Sequence, residues 1–157
     1  MNKIKVIVFL ILIFLTCFQS CKSTQNINEN VIYIMVYDFE SKEINGVEIF
    51  VDNKKVGETD IYGRFIIPVD EKLNEIVFRK KNYEEIKVDI NENREEFLYI
   101  KMGSSKYYAQ MSEKYFDNKE YSEAKKYIKK ALEIEERKDY LYLQSLIQKE
   151  MENEKSN

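Results

Sequence analysis

Hydrophobic positions recur along this chain with two different periods, and the change from one to the other divides it. Over residues 31–102 the period is two. Ile32, Ile34 and Val36 alternate with Tyr33, Met35 and Tyr37, and Val47, Ile49 and Val51 alternate with Glu48 and Phe50. Phe65, Ile67 and Val69 follow the same rule, and Ile86, Val88 and Ile90 interleave with Lys87 and Asp89. Residues 76–79 and 97–101 add two short apolar runs. Between the runs lie Asn45-Gly46, Asp52-Asn53, Asp60 to Gly63 and Asn91 to Asn93, residue types that accept turn dihedrals or bond their own backbone. About seven short strands in roughly 70 residues predict a small antiparallel β-sandwich.

After Gly103 the period becomes about 3.6. Tyr108, Met111, Ser112 and Tyr115 share one helical face, Asp117-Asn118-Lys119 interrupts it, and Tyr121, Ala124, Ile128, Ala131 and Leu132 form a second stripe. The two stripes must face each other across a short turn, which predicts a helical hairpin. A third helix from about Asp139 carries Tyr140, Leu143, Ile147 and Met151 on one side. The expected fold class is therefore α+β, with residues 31–102 as the sandwich, 103–152 as helices and 153–157 as a disordered tail.

The first twenty residues are read as an export signal. Lys3 and Lys5 precede Val6 to Leu15, a run without a polar side chain, and small residues follow. The apolar stretch is shorter than the roughly 20 residues of a bilayer-crossing helix. Phe18-Gln19-Ser20-Cys21 resembles a relaxed bacterial lipobox, which implies lipidation of Cys21 and cleavage before it; Cys17 is a second candidate. Residues 22–30, Lys-Ser-Thr-Gln-Asn-Ile-Asn-Glu-Asn, read as a flexible tether. Lipidation at Cys21 places the protein at a membrane of the bacterial cell envelope, on the extracytoplasmic side, and leaves no cysteine for a disulfide.

Two family resemblances cover residues 31–102. Gly46-Val47-Glu48-Ile49-Phe50-Val51-Asp52 followed by Gly57-Glu58-Thr59-Asp60-Ile61-Tyr62-Gly63-Arg64-Phe65 resembles the carboxypeptidase regulatory-like family of transthyretin-type β-sandwiches, with its Gly-x-Thr-Asp-x-x-Gly-x-Phe hairpin. Ile49 to Thr59 is similar to the Val-x-Val-Asp-Gly-Lys-x-Val-Gly-x-Thr segment of PEGA modules, although Asp60 stands where that family usually has proline. Both resemblances imply a sandwich without catalytic residues. Residues 105–138 resemble one tetratricopeptide repeat, with Tyr108, Met111, Ser112, Tyr115, Ala124, Ile128 and Ala131 at its signature positions; Ser112 replaces the commoner glycine and Glu136 the usual proline. That resemblance implies a protein-binding role, and the interaction surface is assigned to Lys106, Ala109, Glu113 and Phe116 of the first helix.

Composition narrows the chemistry further. With no histidine among 157 residues, the chain alone cannot build a Ser-His-Asp or Cys-His pair or a His-ligated metal. Its 25 basic residues are interspersed with 28 acidic ones at a net charge of −3, which argues against nucleic acid. Glu84-Glu85 and Glu95-Glu96 are adjacent on strands and point to opposite faces. Ser104 or Ser105 is explained as a helix amino cap, and Asp38, Asp52, Asp60 and Asp70 as turn residues rather than a calcium site. No metal or cofactor is expected.

Twelve tyrosines are the best hint of binding. Yet Tyr33, Tyr37, Tyr108, Tyr115, Tyr121 and Tyr127 lie on periodic faces that a core would bury. The expected function is that of a non-catalytic, lipid-anchored adaptor or assembly factor for other envelope proteins. A carbohydrate or cell-wall binder using the sandwich is the alternative.

Overall fold

The computed structural model describes residues 31–68, 73–90 and 96–156. Cys17, Cys21, the export segment and the tether lie outside the described residues, as do Val69, Asp70, Asn91 to Asn93 and Glu95. The chain is α+β, with seven strands in two sheets followed by three helices among the described residues.

The strands are β1 (Val31–Tyr37), β2 (Glu48–Val51), β3 (Lys54–Glu58), β4 (Arg64–Pro68), β5 (Glu75–Arg79), β6 (Ile86–Asp89) and β7 (Phe97–Lys101). One sheet has the order β4-β1-β7 and the other β3-β2-β5-β6. The pairing departs from the purely antiparallel arrangement expected: β1 and β7 run parallel, with Tyr33 opposite Phe97 and Met35 opposite Tyr99. An alternating hydrophobic pattern reads the same in either direction, so it cannot distinguish the two pairings. Ile32, Ile34, Val36, Ile67 and Ile100 of the first sheet meet Ile49, Ile76 and Phe78 of the second in one buried cluster.

The segment from Gly57 to Phe65 locks the two sheets together, and each recurring residue has a physical task. A side chain at Gly57 would run into the Phe65 ring, so that ring lies directly on the backbone. Buried Thr59 accepts from the Val47 amide at 2.9 Å and donates to the Ile44 carbonyl at 2.7 Å. Asp60 accepts from the amides of Tyr62 and Arg64, both at 2.9 Å, which closes the turn. Gly63 sits at φ 70°, and a Cβ there would stand 2.5 Å from the Val36 carbonyl oxygen. Asp52 and Asn53 both have positive φ, as a two-residue hairpin between β2 and β3 requires.

The helices are α1 (Ser105–Asp117), α2 (Tyr121–Ile134) and α3 (Lys138–Ser156). Ser104 is the amino cap of α1, its hydroxyl accepting from the Tyr107 amide, whereas Ser105 is buried and donates to Glu135 at 2.9 Å. Asn118 and Lys119 end α1, Lys119 in the left-handed region. Ala109, Ala124, Ile128, Ala131, Tyr140 and Ile147 form a second core, separate from that of the strands. Ser112 is fully buried and donates to the Ala124 carbonyl at 2.8 Å, so a small hydroxyl fills the crossing point of α1 and α2. The tail expected at residues 153–157 is helical as far as Ser156: Gln148 bonds Glu152, Asn153 bonds Glu150, and the Ser156 hydroxyl bonds the Glu152 carbonyl. These one-turn contacts carry α3 past the end of its apolar stripe.

Strands and helices meet at a small joint. The Tyr83 and Ser104 backbones form a bridge, Glu84 accepts from the Gly103 amide at 2.7 Å and the Tyr108 hydroxyl at 2.8 Å, and Phe39 stacks on Tyr107. Asn82, at φ 66°, makes the turn that brings Glu84 there. Away from this joint no strand packs extensively on a helix among the described residues.

Candidate functional site

The outward faces of the two sheets have opposite character. On the four-stranded sheet, Lys55 pairs with Glu48 and Glu58, Glu85 pairs with Arg79 and Lys87, and the Arg79 guanidinium lies over the Phe50 ring. These are solvated pairs, and each contributes little to stability.

The three-stranded sheet presents aromatic and aliphatic side chains instead. Strand alternation sends Ile32, Ile34 and Val36 inward, so Tyr33 and Met35 must face out. Register then lines up Ile66, Tyr33 and Phe97 in one row and Arg64, Met35 and Tyr99 in the next. Tyr33 is 41%, Ile66 53%, Phe97 48% and Tyr99 67% exposed, so the row is an open apolar surface. The Tyr33 and Phe97 rings stack at 5.1 Å and 18°. These side chains border a concavity of about 650 Å³, with Asp60 and Arg64 at its rim.

The rim is neutralised from within. Asp60 takes two bonds from the Arg64 guanidinium, at 3.0 and 3.1 Å, and Arg64 in turn lies over the Tyr62 ring. The Arg64 amide, and then its guanidinium, hold the Asp60 carboxyl below the usual carboxylate range. This surface therefore suits an apolar or amphipathic contact. Its alternating tyrosines were assigned to the core by periodicity; Tyr33 lies outside it, because both faces of β1 are apolar and the pattern alone does not say which is inward.

The residues assigned to the helical surface separate in the structure. Lys106 and Glu113 are exposed, Phe116 is half-buried against Tyr121, and Ala109 is 5% exposed in the helical core. Ala109 is thus unavailable to a partner, since the small side chain that suggested an open contact is used in packing α1. The larger exposed apolar residues of this unit are Leu141 and Tyr142 on α3, at 41% and 65%. Tyr142 follows Tyr108 by one tetratricopeptide period of about 34 residues, a spacing that could have pointed to it.

Other candidates resolve into structure. Asp38 accepts from the amides of Glu40 and Lys42, and Asp52 from that of Glu75, which are turn and strand-end duties. Glu84 and Glu85, expected on a strand, lie in the segment just before β6 and take different partners, Glu84 the Gly103 amide and Glu85 the Arg79 guanidinium. Among the described residues no three metal-ligating side chains gather, and no helix is long and apolar enough to cross a membrane. Tyr108 is buried, and that burial, with the carboxylate of Glu84, pushes its hydroxyl pKa far above the ordinary tyrosine value. No protein-family model matches the chain, and no curated protein matches it.

Proposed function

We propose that this chain is a non-catalytic, lipid-anchored protein of the bacterial cell envelope that acts as an adaptor for other envelope proteins. Cys21 carries the anchor, the two sheets act as a β-sandwich of the carboxypeptidase regulatory-like or PEGA-like kind, and α1 and α2 act as one tetratricopeptide-like hairpin extended by α3. The tasks of Gly57, Thr59, Asp60, Gly63 and Phe65 support the sandwich reading, because they account for each residue of its signature hairpin. Full burial of Ser112, Ala124 and Ala131 supports the repeat reading.

One observation carries the adaptor function. Tyr108 packs against α2, and Tyr142, its counterpart one repeat later, is 65% exposed beside Leu141 with no helix over it among the described residues. A helix brought by a partner protein would cover both, which is how such repeats recruit their neighbours. The test compares partners cross-linked to the full chain in envelope membranes with those of a Leu141→Lys, Tyr142→Lys variant of unchanged circular dichroism. The variant is expected to lose them; an unchanged set overturns the assignment. Sugar binding by the aromatic sheet face is less favoured, since Tyr33 and Phe97 turn their ring faces on each other rather than outward.

A further inference from the structure

We infer that the outer face of the β4-β1-β7 sheet rests on the lipid bilayer, in the interfacial layer between headgroups and acyl chains. This rests on the lipid-anchor reading above. Nine residues lie between Cys21 and Val31, and the ten Cα–Cα steps across them span at most about 35 Å even when fully extended. β1 is the central strand of this sheet, and Val31, where the described chain begins, stands at one end of it. A surface held that close to a membrane needs only weak affinity to stay on it, because the tether supplies a high effective concentration.

The chemistry of the face fits such a seat. β1, β4 and β7 contain no acidic residue, although the chain carries 28. Tyr33 and Tyr99 combine apolar rings with hydroxyl tips, the composition favoured where one end of a side chain is in hydrocarbon and the other in water, and Phe97 adds a wholly apolar ring between them. Lys101 stands at the end of β7, placed to meet lipid phosphates, while Asp60 keeps Arg64 neutralised at the rim. On the other sheet the outward Phe50 ring lies beneath the Arg79 guanidinium among the ion pairs, and that face would turn to solvent. The seat leaves the helices free to take a protein partner.

The chain contains no tryptophan, so a single substitution gives a unique fluorophore. The full chain is purified from membranes as the Tyr99→Trp variant and, separately, the Lys87→Trp variant, whose reporter lies on the opposite sheet. Each is reconstituted into phosphatidylethanolamine and phosphatidylglycerol vesicles with or without brominated acyl chains, and its intact mass is measured. Tyr99→Trp fluorescence is expected to fall at least twofold with brominated lipid while Lys87→Trp fluorescence is unchanged. Equal fluorescence of Tyr99→Trp in both vesicle types overturns the inference, as does equal quenching of the two variants. A concentration-dependent blue shift of Tyr99→Trp in detergent alone also overturns it, by assigning the face to a second copy. The mass reads the anchor separately: an acylated mass with unquenched Tyr99→Trp overturns the face alone, and an unacylated full-length mass overturns the anchor whatever the quenching.

Discussion

The Tyr108 hydroxyl donates a 2.8 Å hydrogen bond to Glu84, and this contact ties the helical core to the strands. The same Glu84 oxygen accepts from the Gly103 amide, so one carboxylate fixes both the start of α1 and its first buried ring. A bond to a charged acceptor is worth about 1.5–3 kcal/mol net. Tyr108→Phe should therefore lower unfolding free energy by about that amount, measured by denaturant titration followed by circular dichroism. A change under about 0.5 kcal/mol would show that the joint does not couple the two cores.

The same residue makes stability sensitive to alkali. Burial first, and Glu84 second, raise the Tyr108 pKa in the folded chain, and Tyr107 and Tyr83 are raised mainly by burial too. A raised folded pKa gives stability that is complete below the unfolded tyrosine value of about 10 and is lost as pH climbs above it. The melting temperature is expected to decline from about pH 10 upward, less steeply in Tyr108→Phe. An identical decline in both proteins would remove Tyr108 as the cause.

Thr59 is the polar pin of the strand core. Thr59→Val keeps the shape but strands the Val47 amide and the Ile44 carbonyl in a buried site, at a cost of about 1–3 kcal/mol for each group left unpaired. Thr59→Ser retains the hydroxyl and should be much closer to the parent. Equal stability of the valine and serine variants, read by thermal unfolding, would contradict the pairing.

Where α1 crosses α2, there is room only for small side chains. Ala124 is fully buried beside Ser112, so Ala124→Leu forces the helices apart and should cost about 1–3 kcal/mol. Ile128→Ala, which leaves a void instead, should cost about 2–5 kcal/mol. Amide exchange should rise in α2 and α3 for both variants; protection confined to its parental level would refute this packing.

At the amino terminus, Cys21→Ser should abolish acylation and leave the uncleaved precursor, seen as the full-length mass. A parental mass in Cys21→Ser, with loss of acylation in Cys17→Ser, would move the anchor to the upstream cysteine.

Much of the fold was legible because most elements have one apolar side. Ile86, Lys87, Val88 and Asp89 announce a strand outright, and Ala124, Ile128 and Ala131 announce the buried stripe of α2. β3 was harder to read, since Lys54, Lys55 and Val56 are all exposed and only pairing with β2 holds them extended. The outer face of β1 escaped for the opposite reason: Tyr33 and Met35 are as apolar as the residues between them, and burial of one face is decided by β4, β7 and the second sheet. The end of α3 was missed because its last turns rest on Gln148, Glu152 and Ser156 rather than on hydrophobic contacts. At the candidate site, exposed Tyr99 and Tyr142 depend on what fails to pack over them, which no local pattern encodes.

The parallel pairing of β1 with β7 sets the order in which the chain becomes safe to expose. As the polypeptide grows from its amino end, β1 gains an antiparallel partner once residue 68 has been made, but its second edge stays open until residues 97–101 arrive. Through that interval a strand reading Val-Ile-Tyr-Ile-Met-Val-Tyr offers unpaired amides and carbonyls to any neighbouring strand. Contacts between residues so distant in sequence also form slowly. A chain cut short before Phe97 would keep this aggregation-prone edge permanently, so the last strand works as the cover for the first.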